Sequence, residues 1–116
     1  MNIKNAYSGI MTADIESATA WYENLFDRKS DYHPMQTVHE WDFQNGGVLQ
    51  LVEDKERAGK SSVTLLVDNI EVTCENLKEK QIPHKIQASG DVAKIISIYD
   101  PENNRITFAE NKQGRK

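Results

Sequence analysis

A chain of 116 residues with 38% apolar side chains holds enough material for one compact domain, or for two small halves sharing a core. Its 14 Lys and Arg against 18 Asp and Glu leave a net charge of −4 and no basic block, which excludes nucleic acid as the expected partner. No apolar run approaches the roughly 20 residues of a membrane span, and the first five residues lack the apolar core of a signal peptide.

Residues 3–10 alternate as a strand does, with Asn5, Tyr7 and Gly9 on one face and Ala6, Ser8 and Ile10 on the other. Asp14 offers an N-cap, and Glu16 places an acid in the first turn, where the helix dipole favours it. Ile15, Ala18, Trp21, Tyr22, Leu25 and Phe26 follow the spacing of an amphipathic helix ending near Asp27. Three strand-like runs follow. Residues 29–33 form the weakest and stop at Pro34, residues 37–43 are rich in β-formers, and residues 48–52 come after the turn signal Gln44-Asn45-Gly46-Gly47. The first half reads βαβββ.

Residues 54–61 read as a polar linker. The pattern then restarts. Residues 62–67 form a strand whose faces separate into Val63, Leu65 and Val67 against Ser62, Thr64 and Leu66. Asp68 or Asn69 caps a second helix over 70–81, and Pro83 stops it. Its one cysteine, Cys74, has no partner for an internal disulfide and reads as a packed, inert thiol, so a reducing cytoplasm is the expected compartment. Strands are expected at 85–87, 93–99 and 105–110, the last two joined by the turn Asp100-Pro101-Glu102-Asn103-Asn104. Pro101 removes a donor, and Asn103 and Asn104 tolerate positive φ. Residues 112–116 read as a solvated basic tail. The second half is again βαβββ, and a period of about half the chain means one supersecondary unit used twice.

This order, with its motifs, resembles the vicinal-oxygen-chelate superfamily, which contains glyoxalase I, bleomycin-resistance proteins, fosfomycin-resistance enzymes and extradiol dioxygenases. Asp14-Ile15-Glu16-Ser17-Ala18-Thr19-Ala20-Trp21-Tyr22-Glu23-Asn24-Leu25-Phe26 is similar to the first-helix signature, with Phe26 where Gly is usual. Val67-Asp68-Asn69-Ile70-Glu71 is similar to the opening of the second helix, and residues 100–104 to an Asp-Pro-x-Gly-Asn turn with Asn103 in place of Gly. The resemblance implies an α+β fold of two βαβββ modules, at about 1–54 and about 61–111 of a single domain spanning 1–116, whose mixed curved sheets enclose a cleft. It also implies a homodimer.

In family enzymes that use a metal, ligands come from four strands and are typically His, Glu or Gln. The resemblance places Tyr7, Gln50, Ser62 and Thr107 at those positions, and only Gln50 is of a type the family uses. Phenol and alcohol groups are poor neutral ligands for a transition metal. No metal and no other cofactor is therefore expected. His33, His39 and His84 share no ligand spacing.

The expected function is that of a metal-free binder of a small organic molecule, drug or aromatic metabolite, like the bleomycin-resistance branch. Flat ligands stack on aromatic walls while polar groups fix their orientation. Tyr7, Trp41, Gln50, Ser62, Thr64 and Thr107 are the candidate lining residues, with His39 added because a register shift of one would turn His39, Trp41 and Phe43 inward instead of Val38, Glu40 and Asp42. Trp41 reads equally as a core or interface aromatic. Net charge favours a cationic ligand only weakly, because net charge is not site charge. The alternative is a lyase, isomerase or dioxygenase-like enzyme, in metal-free form with Glu40, Asp42 or His39 as base. A third reading, an interaction module with a filled cleft, sits poorly with the polar residues at 50, 62, 64 and 107.

Overall fold

The computed structural model describes residues 1–89 and 93–110; the basic tail at 112–116 lies outside the described residues. The chain divides into two units, Met1–Ser61 and Ser62–Lys116. The first holds β1 (Tyr7–Thr12), α1 (Ile15–Phe26), β2 (Tyr32–Met35), β3 (Val38–Asp42) and β4 (Val48–Glu53). The second holds β5 (Ser62–Val67), α2 (Ile70–Glu79), β6 (Lys85–Ser89), β7 (Ala93–Tyr99) and β8 (Arg105–Glu110). Each unit has an open four-stranded mixed sheet, in the orders β1-β4-β3-β2 and β5-β8-β7-β6. The first strand of each runs parallel to the last, and the remaining pairs are antiparallel. The βαβββ order is present twice. Among the described residues no helix is long and apolar enough to cross a membrane.

In the first unit, Ile15, Ala18, Tyr22 and Leu25 of α1 are buried, as are Ile10, Trp41, Leu49 and Leu51 on the strands. Leu51 lies opposite both Ile10 and His39, and Leu49 opposite Trp41, so these side chains share the helix-facing side of the sheet. Each large apolar side chain buried there contributes about 2 kcal/mol. A slip of one residue would turn all of them to the other face, which fixes the register. The second unit repeats the scheme with Ile70 and Leu77 of α2 and with Val63, Ile96, Ile98, Ile106 and Phe108 of its sheet, all buried.

The helix starts are fastened in the same way in both units. Asp14 and Asn69 accept from the first-turn amides, Asp14 from Ser17 N at 3.3 Å and Asn69 from Glu71 N and Val72 N at 2.9 and 3.1 Å. A carboxylate from the end of the last strand adds a second acceptor. Ile15 N donates to Glu53 Oε1 at 3.2 Å, and Ile70 N to Glu110 Oε2 at 3.1 Å. Anions are favoured at helix N-termini.

Element boundaries differ from the sequence expectation in three places. β1 begins at Tyr7, not residue 3, because its partner β4 begins at Val48, directly opposite Tyr7. α2 closes at Lys80, short of 81, where Gln81 turns to φ 58°. β2 runs through Pro34 instead of stopping there. Proline is tolerated on an outer strand, where its missing N–H need not face a neighbour, and β2 is the outermost strand of its sheet. Pairing there is irregular, with Tyr32 opposite Glu40 and Met35 opposite Val38.

The turn between β7 and β8 is built on one carboxylate. Asp100 Oδ1 accepts from Glu102 N and Asn104 N, both at 2.9 Å, and Oδ2 accepts from Asn104 Nδ2 at 2.8 Å. Asn103 takes the left-handed conformation at φ 80°, which asparagine tolerates where glycine is usual. Asp100 and Asn104 are both buried.

Candidate functional site

The face of the first sheet that looks away from α1 carries the candidate site. Cross-strand register sets its rows. Gly9, Gln50, Glu40 and Tyr32 form one, and Tyr7, Val48 and Asp42 form the next. Glu40 and Asp42 are two residues apart on one strand, so both carboxylates project to this face. Gln50 Nε2 donates to Glu40 Oε2 at 2.7 Å, which orients that carboxylate and leaves its other oxygen for a partner.

A cavity of about 750 Å³ opens at the end of this face, where β1 begins and β3 turns into β4. Asn5, Tyr7, Tyr32, Glu40, Asp42 and Phe43 form most of its wall, with the 44–47 turn as one rim. The rim is held by backbone. Phe43 N donates to Gly47 O at 2.8 Å, and Gly46 N to Phe43 O at 3.1 Å, with Gly46 at φ 89°. Asn5 Nδ2 donates to Gly46 O at 2.8 Å and so pins the segment before β1 against the turn. Tyr7 and Tyr32 are half exposed, at 53% and 58%, so their rings are available to a ligand.

Arg28, which contacts the lining residues Asp42 and Phe43, is already engaged. Arg28 Nη1 lies 2.7 Å from Asp31 Oδ2, Nη2 donates to the Asp42 carbonyl, and the guanidinium lies 5.9 Å from the Phe43 ring centre. Asp31 also accepts from Asp42 N at 2.7 Å. That backbone bond, with the Arg28 hydrogen bond second, holds the Asp31 carboxyl below the usual carboxylate range. The network clamps the start of β2 to the end of β3, directly behind the cavity.

Of the expected lining residues, Tyr7 lines the cavity. Gln50 lies on the same face and reaches the cavity wall through Glu40. Trp41 and His39 sit on the opposite, helix-facing side. Trp41 is fully buried, 5.5 Å edge-to-face from Phe26 and 6.4 Å from Tyr22, and its Nε1 donates to Arg28 O at 3.3 Å. The physical reason is volume: the aromatic stripe of α1 needs a large apolar partner, and β3 supplies it at 41. Ser62, Thr64 and Thr107 belong to the second unit. There Thr64 lies opposite Thr107 on the face away from Ile106 and Phe108, and Thr107 lies opposite Ser97. Glu40 and Asp42 were expected on the inward face and as candidate bases but not as lining residues, and Tyr32 and Asn5 were not singled out. The alternation of residues 38–42 was the signal for the two acids, since Val38 and Trp41 cannot both lie on one face of a regular strand.

His39 is held in a small stack of its own. Its ring lies 3.8 Å from that of His33, inclined by 19°, and Nδ1 is 2.7 Å from Ser30 Oγ. His33 also lines the cavity. Burial, reinforced by the neighbouring His33 charge and opposed by Glu23, pulls the His39 imidazole below its usual range. Its folded-state affinity for protons is therefore the lower one. The unfolded chain takes up the proton as pH falls through about 6.5 while the folded chain does not, so stability falls from there and levels off once the folded imidazole also charges. Urea midpoints should decrease between pH 7.5 and 5.5, and His39→Gln should reduce that slope; an unchanged slope assigns the effect to other groups.

A metal centre of the kind this fold's enzymes use needs imidazole and carboxylate donors. The four positions noted above offer a phenol, an amide and two alcohols. Among the described residues no group of three or more His, Cys, Asp or Glu side chains is placed to hold a metal ion.

Comparison with solved structures places this architecture. A glyoxalase/bleomycin resistance protein from Catenulispora acidiphila superposes with a TM-score of 0.84 at 26% identity, covering 93% of this chain and 98% of its own. A lactoylglutathione lyase from Agrobacterium tumefaciens gives 0.81 at 14% identity, covering 97% of each chain. An antibiotic-binding protein from a Streptomyces species gives 0.78 at 16% identity, covering 97% of this chain and 99% of its own. No family model and no curated protein matches the sequence. The chain has the glyoxalase/bleomycin resistance fold, and these neighbours bear out its resemblance to the vicinal-oxygen-chelate superfamily.

Proposed function

We propose that this protein binds a small, flat organic molecule on the α1-distal face of its first sheet, and that it does so without a metal. The observation that carries the reading is the cavity of about 750 Å³, a volume within the range of small-molecule sites, with three aromatic rings and two carboxylates converging on it. Aromatic rings contribute area with little entropy cost on ordering, and Gln50 and Asn5 hold the polar parts of the wall in place before any ligand arrives. The donor chemistry favours binding by stacking and hydrogen bonds over coordination. Neighbours of this fold include an antibiotic-binding protein, which agrees with sequestration as the biochemical role.

The test is a panel of small aromatic molecules offered to protein stripped with a chelator, followed by amide and tyrosine chemical shifts. Saturable binding that moves Tyr7, Asp42 and Phe43 is the expected result. Binding that requires a divalent metal, or that leaves those residues unmoved, would overturn the reading.

A further inference from the structure

We infer that the cavity selects cations: a flat aromatic ring system carrying a quaternary or protonated nitrogen. This rests on the binding role proposed above and deepens it. The argument is one of site charge. Glu40 and Asp42 both line the cavity, and among the described residues no Lys or Arg does. The Arg28 guanidinium is engaged with Asp31 and with the Asp42 carbonyl. Two carboxylates on alternate positions of one strand stand about 7 Å apart. A single positive charge placed between them is attracted by both.

The walls add a second attraction of the same sign. Tyr7, Tyr32 and Phe43 line the cavity, and the face of an aromatic ring carries partial negative charge. A cation with its own ring stacks on one while its charge approaches the acids. A neutral ring of equal shape gains the stacking only, and an anion is repelled by both carboxylates. The hydrogen bond from Gln50 fixes Glu40 in this orientation, so the negative charge is preorganised and needs no rearrangement on binding.

The test uses three probes built on one ring system, on the full chain at pH 7.5: N-methylquinolinium, neutral quinoline and anionic quinoline-6-carboxylate, each titrated by chemical shift. The cation should bind about tenfold more tightly than the neutral probe, and the anion most weakly. Asp42→Asn and Glu40→Gln should each lower affinity for the cation several-fold, and by more than they lower affinity for quinoline. Glu56→Gln, the same charge change on the exposed 54–61 segment, should alter neither. Raising salt should weaken the cation selectively. Equal affinity for all three probes, or tightest binding of the anion, overturns the charge selection and leaves the binding role standing. If none of the three binds at millimolar concentration, the selection falls, and the binding role falls with it only when the chelated panel also yields no ligand.

Discussion

Trp41→Ala should unfold this protein more readily by about 3–5 kcal/mol, the usual cost of emptying a large aromatic site in a packed core. Trp41 is fully buried, meets Phe26 edge-to-face at 5.5 Å and donates its indole N–H to the Arg28 carbonyl. Alanine removes the ring, leaves a cavity under α1 and strips that carbonyl of its partner. Against a total stability on the order of 5–15 kcal/mol the loss is large. Urea unfolding followed by circular dichroism measures it. Trp41→Phe keeps an aromatic edge for Phe26 and should lose markedly less. An unchanged midpoint for the alanine variant would mean the indole is not packed where it is described.

The second large effect belongs to Asp100. Its carboxylate accepts three hydrogen bonds inside one five-residue turn, from Glu102 N, Asn104 N and Asn104 Nδ2. Hydrogen bonds to a charged group are worth more than neutral ones, and buried donors left without an acceptor carry the full desolvation penalty. Asp100→Ala should cost about 4 kcal/mol by that reasoning. Asp100→Asn retains one acceptor oxygen and should fall between the two. Because the turn sets the β7–β8 register, the alanine variant should also speed amide exchange at Ile98 and Ile106, which lie opposite each other. Equal unfolding midpoints for all three proteins would show that the turn holds without the carboxylate.

Much of the architecture was legible in the chain. The doubled βαβββ order followed from the helical stripe ending at Phe26, the restart at Ser62 and the turn residues 44–47 and 100–104, because local propensity and hydrophobic period agree there. Boundaries slipped where a neighbour, not the segment itself, decides. β1 starts where β4 begins, and β2 extends through Pro34 because, among the described residues, it is the outermost strand of its sheet.

The site was less legible. Strand alternation gives faces directly, and it puts Tyr7 and Gln50 on the same face of the first sheet. The sequence leaves Trp41 open between pocket wall and core because an aromatic at an alternating position suits both, and it packs against Tyr22 and Phe26. Asn5, Tyr32 and Phe43 come together through the 44–47 turn and the clamp at Arg28 and Asp31. The Asn5–Gly46 and Asp42–Asp31 bonds join residues well separated in sequence, for which no local pattern exists.

The proline in β2 has a consequence for solution behaviour. An outer strand normally offers a row of unpaired amides and carbonyls on which another chain can extend the sheet, the first step toward aggregation. In β2 that row is four residues long, interrupted at Pro34 and irregular in register. It also carries Tyr32 and Met35, both more than half exposed, which would otherwise invite such growth. The break at Pro34 denies an incoming strand a continuous ladder while leaving Tyr32 free to face a ligand.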